Sequence, residues 1–252
     1  MGNRWSWLAL GVGAYLAFTL AAFPAGTAAR WFAPPAATLG GIQGTIWSGA
    51  ATVADLGGLT VQDLRWRLHP ASLLLGRLSA SLQARLADGF VDTDVVARTG
   101  GVRFANLRGS ASLAALADVL PVHGMQGQVS AQLSSLELTN GWPSRVIGEL
   151  KVADLEVTPL VPDGKTSLLP LGGYTLTFGE APAGTVAARF VDNGGPLEVS
   201  GNATIDAARE YMLDALIKPR PGAPEQLVEG LKIMATEPDA EGRRRLTLTG
   251  SL

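Results

Sequence analysis

The chain has no cysteine, few aromatic residues and little charge. Zero Cys among 252 residues excludes disulfides, thiol nucleophiles and thiolate metal sites together. A cysteine-free chain is also compatible with an oxidising compartment, because no thiol can mispair there. Charged residues make up 17% of the chain, against about 25% in a typical soluble domain. Aromatic residues make up 6%, so Leu, Val and Ala must build most of any core. The net charge is −2, and the single basic run is Arg243, Arg244 and Arg245. Nucleic acid needs a broad cationic face, so no nucleic acid partner is expected.

Recognisable chemistry is also missing. The two histidines, His69 and His123, are far apart and fit no metal-ligand spacing; both read as ordinary turn or surface residues. No Gly-x-Ser-x-Gly elbow and no phosphate loop occurs. Glu149, Asp154 and Glu156 are scattered, and nothing pairs them as an acid/base couple. Asp92 and Asp94 form an Asp-x-Asp that could attract a cation from one face of a strand. The alternative, a polar strand following Gly89, is preferred. Asn202-Ala-Thr204 matches a glycosylation sequon, a pattern short enough to arise by chance. No catalytic, cofactor-binding or metal-binding residue is assigned, and no cofactor is expected.

What is present divides in two. Trp5 to Phe23 carries no charge over 19 residues. As a helix it would rise roughly 28 Å, close to the hydrocarbon thickness of a bilayer. Trp5, Trp7 and Phe23 stand near its ends, as interfacial aromatics do, and Pro24 would stop it. Arg4 and the terminal amine place the N-terminus in the cytoplasm by the positive-inside rule, with Arg30 just beyond the other end. The competing reading is a cleaved signal, with a processing site among the small residues after Pro24. Either way the bulk of the chain is exported. Residues 24–40, rich in Pro, Ala and Thr, read as an extended spacer.

From residue 41 onward the chain alternates between apolar and polar residues. Leu78, Ala80, Leu82, Ala84 and Leu86 point one way; Ser79, Ser81, Gln83 and Arg85 point the other. The same pattern recurs at Met125–Leu133, Tyr174–Phe178, Leu197–Ile205 and Leu246–Gly250. Many runs open on glycine, and several of these are spaced by about the length of a hairpin. Turn signals lie between runs at Asp192–Gly195, Thr139–Gly141 and Pro162–Gly164. This describes a sheet with one dry face and one wet face. Short helices are expected at Ser112–Leu120, capped by Ser112, and at Pro224–Ala235, with a further turn at Pro70–Leu75. These would cover part of the apolar face. Trp66 stands between Arg65 and Arg67, with Trp47 earlier; the pair reads as core tryptophans or as an aromatic anchor for a partner.

The predicted architecture is mainly β: a transmembrane helix over residues 1–23, the spacer, and a largely antiparallel, curved sheet of short hairpins over 41–252. Two or three short helices would lie on its apolar face.

Two segments carry a family resemblance. Gly44-Thr-Ile-Trp-Ser-Gly-Ala50 is followed by Leu64-Arg-Trp-Arg-Leu-His-Pro-Ala-Ser-Leu-Leu-Leu-Gly-Arg-Leu78. Together with Pro170-Leu-Gly-Gly-Tyr-Thr-Leu176 and the closing Leu246-Thr-Leu-Thr-Gly-Ser-Leu252, this order resembles the type II secretion system protein N family. The resemblance implies a non-enzymatic component of the bacterial inner membrane, single-pass with a periplasmic domain. It also implies other secretion-system subunits as partners and a role in exporting folded proteins across the outer membrane. The Trp-x-Leu-x-Pro segment is more loosely similar to the AsmA-like group, whose sheets curl into lipid-holding grooves. A lipid or other apolar ligand on the dry face is therefore the alternative function.

Overall fold

The computed structural model describes residues 3–32, 37–56, 58–117, 124–158, 168–234 and 237–251. Two helices open the chain, α1 (Asn3–Ala21) and α2 (Ala25–Phe32). Next come β1 (Ala37–Gly40), β2 (Gln43–Gly44), β3 (Ser48–Leu56) and β4 (Leu59–Leu68). A 3-10 turn, η1 (Pro70–Leu75), leads to β5 (Leu78–Leu86), β6 (Gly89–Arg98) and β7 (Gly101–Ser112). A second, η2 (Ala114–Leu116), precedes β8 (Met125–Thr139), β9 (Trp142–Val157), β10 (Leu169–Phe178) and β11 (Val186–Asp192). The last elements are β12 (Leu197–Ile205), β13 (Glu210–Pro219), α3 (Glu225–Met234) and β14 (Arg244–Ser251).

All fourteen strands belong to one open antiparallel sheet. From β3 onward each strand pairs with the next in sequence, β1 lies outside β3, and β2 also pairs with β3. The alternating runs account for this: each can bury only one face, and short turns return the chain beside itself. Leu78–Leu86 and Leu197–Ile205 are complete strands, as the alternation predicts. Asn140 and Gly141 turn β8 into β9 with φ of 53° and 76°, the two positive values that a tight hairpin turn requires. The Pro162–Gly164 turn signal lies outside the described residues.

Alternation is interrupted where the ladders slip. Asp63, Asn106 and Asp154 have φ of 48°, 52° and 51°. Each lies at a register shift, between β4 and β5, β6 and β7, and β8 and β9 respectively. Such bulges bend a sheet and raise its local twist, and Asp and Asn tolerate the left-handed backbone better than other side chains.

The dry face holds three apolar clusters. Ala54, Val61, Leu86 and Ala111 centre the first; Leu133, Val146 and Val186 the second. Leu197, Val199, Ala215 and Ile217 centre the third, and Leu227 and Leu231 of α3 pack against it. The helix expected at Pro224–Ala235 is thus present and covers apolar surface.

Four expectations need correction. Among the described residues no helix is long and apolar enough to cross a membrane, so the transmembrane span is not supported. The α1 helix takes in Asn3 and Arg4 and is diluted by Ser6, Gly11, Gly13 and Thr19. Its described apolar side chains, including Trp7, Leu10, Tyr15 and Phe18, are exposed. Within the stretch 24–40 the described residues are not extended spacer: Ala25–Phe32 is helical, and the sheet starts at Ala37. Of Ser112–Leu120, the described residues 112–117 form no α-helix either. β7 continues through Ser112, and only Ala114–Leu116 forms a turn before residues 118–123, which lie outside the described residues. The Ser112 hydroxyl still caps that turn by accepting from the Ala115 N–H at 3.2 Å. Finally, η1 leaves Leu73 and Leu75 exposed instead of laying them on the dry face.

Candidate interaction surface

On the wet face, polar side chains are tied to each other across neighbouring strands. Gln83 donates to Asp92 at 3.1 Å; Ser81 at 2.8 Å and Asn106 at 3.3 Å donate to Asp94. Both Asp-x-Asp carboxylates are therefore held by neighbours, as a polar strand requires. Arg85 pairs with Asp63, Lys151 with Glu149, and Arg145 with both carboxylate oxygens of Glu180 at 2.6 and 2.7 Å. Asp154 is a bulge residue, and Glu156 stands opposite Gln126 and Pro170. Exposed His69 directly precedes η1; its carbonyl accepts from the Ser72 hydroxyl at 2.6 Å. His123 lies outside the described residues. Among the described residues no group of three His, Cys, Asp or Glu is placed to hold a metal ion.

Trp47 and Trp66 do not form a core pair. The indole N–H of Trp47 donates to the Leu20 carbonyl at 2.8 Å, and the Ile46 N–H donates to the Phe23 carbonyl at 3.1 Å. These bonds fasten the corner between α1 and α2 to the start of β3. Trp66 is half-buried, donates to the Ile46 carbonyl at 3.2 Å, and lays its ring over Gly49. Both tryptophans are used within the chain, joining the helices to the sheet and β4 to β3.

One polar node escaped the sequence reading. Asp192 ends β11, and its carboxylate is only 9% exposed. It accepts from the N–H groups of Val199 at 2.9 Å and Gly194 at 3.1 Å, and from Arg220 at 2.6 Å. Arg220 also donates to the carbonyls of Gly195 at 3.0 Å and Leu197 at 2.9 Å. Burial pushes the Asp192 carboxyl up, but these donors and the Arg220 charge outweigh it and hold it below the usual carboxylate range. Burial, with the Asp192 charge nearby, pushes the Tyr174 hydroxyl up. The node closes the β11–β12 turn onto the end of β13. The turn signal at Asp192–Gly195 was readable; its arginine partner, 28 residues on, was not.

Among the described residues, the concavities bring no nucleophile together with a base. A cleft of about 710 Å³ at the β8–β9 turn is lined by Trp142, Ser144, Arg145 and Arg209 among others. The Arg209 guanidinium sits 5.0 Å from the Trp142 ring centre, and the Ser144 hydroxyl donates to the Glu137 carbonyl. That hydroxyl is bonded to the Glu137 carbonyl and the Thr139 hydroxyl, and neither is a base that would activate it.

The sheet margins differ. One ends in the four-residue β1, with the two-residue β2 and α2 beside it. The other ends in β14, eight residues long. Among the described residues β14 is paired with β13 alone, through Glu210↔Ser251 to Ile217↔Arg244. Arg245 of β14 grips Asp214 of β13 with two bonds, at 2.8 and 2.5 Å, holding the margin extended.

Comparison with known proteins points one way. The family model for type II secretion system protein N matches residues 35–247. A type II secretion system protein N of Aeromonas hydrophila is 26% identical over 246 residues, covering 95% of each chain. Another, of Vibrio cholerae serotype O1, is 28% identical over 243 residues, covering 87% of this chain and 86% of that relative. No solved structure gives a significant match. With the family model spanning nearly all of the sheet, the chain belongs to the type II secretion system protein N family.

Proposed function

We propose that this chain is a non-enzymatic component of the type II secretion system, acting through contacts that its β domain makes with other secretion subunits. In this reading residues 41–252 work in the periplasm and support passage of folded proteins across the outer membrane. The apolar α1 associates the chain with the inner membrane. One observation carries the proposal: an open sheet whose polar residues are bonded to each other, and whose last strand, among the described residues, takes its ladder from β13 alone. A strand edge is a template for adding an extended segment of another protein. The test is a strain lacking residues 41–252. Folded substrates should cross the inner membrane and then accumulate in the periplasm. Normal export from that strain rejects the proposal.

A second reading has its own observation. Among the described residues no large side chain is fully buried, although three apolar clusters line the dry face. A half-covered apolar trough of Leu, Val and Ala suits an acyl chain. Mass spectrometry of the purified protein would decide it: stoichiometric lipid supports a carrier, and its absence removes that reading.

A further inference from the structure

Strand direction sorts the turns of this sheet into two ends. β3 starts, β4 ends, β5 starts, β6 ends and β7 starts at the end where Trp47 bonds α1. The Leu68 N–H donates to the Trp47 carbonyl at 2.7 Å, so η1, which follows Leu68, projects from this same end. Here three apolar side chains beside α1 face water. Leu75 of η1 is 70% exposed, Leu73 46%, and Trp31 of α2 68%. Leucines held in water by an ordered turn, grouped with a tryptophan, leave apolar area that a second phase can bury.

Charge is distinctive at this corner. Beside α1, from β3 to β7, residues 20–32, 40–50, 68–78 and 98–101 contain Arg30, Arg77 and Arg98 and no acidic residue. All three arginines are exposed. Farther along the same margin the β10–β11 and β12–β13 connections carry Glu180, Asp206 and Glu210, and the far ends of β3 and β5 carry Asp55 and Asp88. Leucines flanked by arginines and a nearby tryptophan match the boundary of an anionic bilayer, where apolar groups enter the acyl region and cations meet phosphates. Continuity with α1, whose exposed apolar surface leads into the same corner, gives the same direction.

We infer that η1 is a second lipid-contacting element: Leu73 and Leu75 seat in the headgroup boundary of the inner membrane beside α2, setting the sheet upright on the bilayer. This rests on the membrane association proposed above. The absence of cysteine makes the test direct. Leu75→Cys and, at the opposite end, Ala87→Cys are each labelled with an environment-sensitive nitrobenzoxadiazole dye. The labelled full chains are reconstituted into vesicles of phosphatidylethanolamine and phosphatidylglycerol. The dye at 75 should shift to the blue and be quenched by nitroxide-labelled lipid; the dye at 87 should report water. If the chain stays with the vesicles but the dye at 75 reports water, η1 does not touch lipid and only this inference falls. A blue shift that nitroxide lipid does not quench means protein covers η1, and also overturns it. If the chain does not stay with the vesicles, the membrane reading falls with it.

Discussion

Trp66 lies flat across Gly49, its partner in the β3–β4 ladder, and fills the space where a Cβ would stand. The arrangement recurs: the Phe190 ring covers Gly201 between β11 and β12, and the Tyr211 ring covers Gly250 between β13 and β14. An aromatic ring over a cross-strand glycine shields backbone that a small residue leaves bare. Gly49 has no positive φ, so what it supplies is room. Gly49→Ala should therefore cost about 1–3 kcal/mol through overpacking. For a chain of this size that is a fall of roughly 2–4 °C per kcal/mol in thermal unfolding. The double variant with Trp66→Leu should lose less than the sum of the two single changes, since the ring's share of the clash is then relieved while the Gln43 carbonyl oxygen, 2.7 Å from that Cβ, still opposes it. Strict additivity would sink the pairing.

Asp192 should make the fold acid-sensitive. Its folded pKa lies below its unfolded value, so the stability it contributes is present above the ordinary carboxylate value of about 3.9. That stability is lost as pH falls through the folded value. Asp192→Asn should cost about 1–3 kcal/mol at neutral pH, because it weakens bonds to a buried acceptor. It should also flatten the acid limb of stability against pH. Urea midpoints at pH 7 and about pH 3 test both; a variant as acid-sensitive as the parent assigns the effect to other carboxylates. Asp214 shifts in the same direction, chiefly through the hydrogen bond from Arg245, and adds to the same limb.

The strands were readable because a half-buried strand needs a period of two, and Leu78–Leu86 and Leu197–Ile205 keep it without a break. Bulges at Asp63, Asn106 and Asp154 were not readable. An extra residue in a strand is decided by its neighbour's register, which no local pattern encodes. Ser112–Leu120 misled because leucine and alanine have high helix propensity, while pairing with β8 held β7 extended through Ser112. The leucines of η1 matched a turn that covers the core, and only strand direction reveals that they point away from it. Of the surface, the paired wet face followed from alternation, whereas the Asp192–Arg220 node joins segments too distant for any motif.

Leu248 sits on the last strand and is 43% exposed. If β14 receives an extended partner, a charge placed there should discourage strand addition without unfolding the sheet. Leu248→Lys should leave the circular dichroism spectrum unchanged and reduce export of folded substrates. Full export by a stably accumulated Leu248→Lys chain would show that this margin is not the contact.

Trp47 holds the entry to the sheet by one hydrogen bond. The Leu20 carbonyl belongs to the last turn of α1, where carbonyls lack partners within the helix; it accepts a long bond from the Phe23 N–H at 3.4 Å and a shorter one, at 2.8 Å, from the Trp47 indole N–H of the β-domain. Trp47→Phe removes that donor and keeps most of the apolar ring. The loss should be about 0.5–1.5 kcal/mol and local, freeing the α1–α2 corner without loosening the sheet. Limited proteolysis should then cut faster between Ala22 and Phe32, while global unfolding moves little. The Pro24–Thr45 bridge and the Ile46 N–H bond to the Phe23 carbonyl still tether that corner, so cleavage should accelerate without becoming immediate. Unchanged cleavage would mean these two contacts suffice, and the indole bond would then have no part in fixing how the helices meet the sheet.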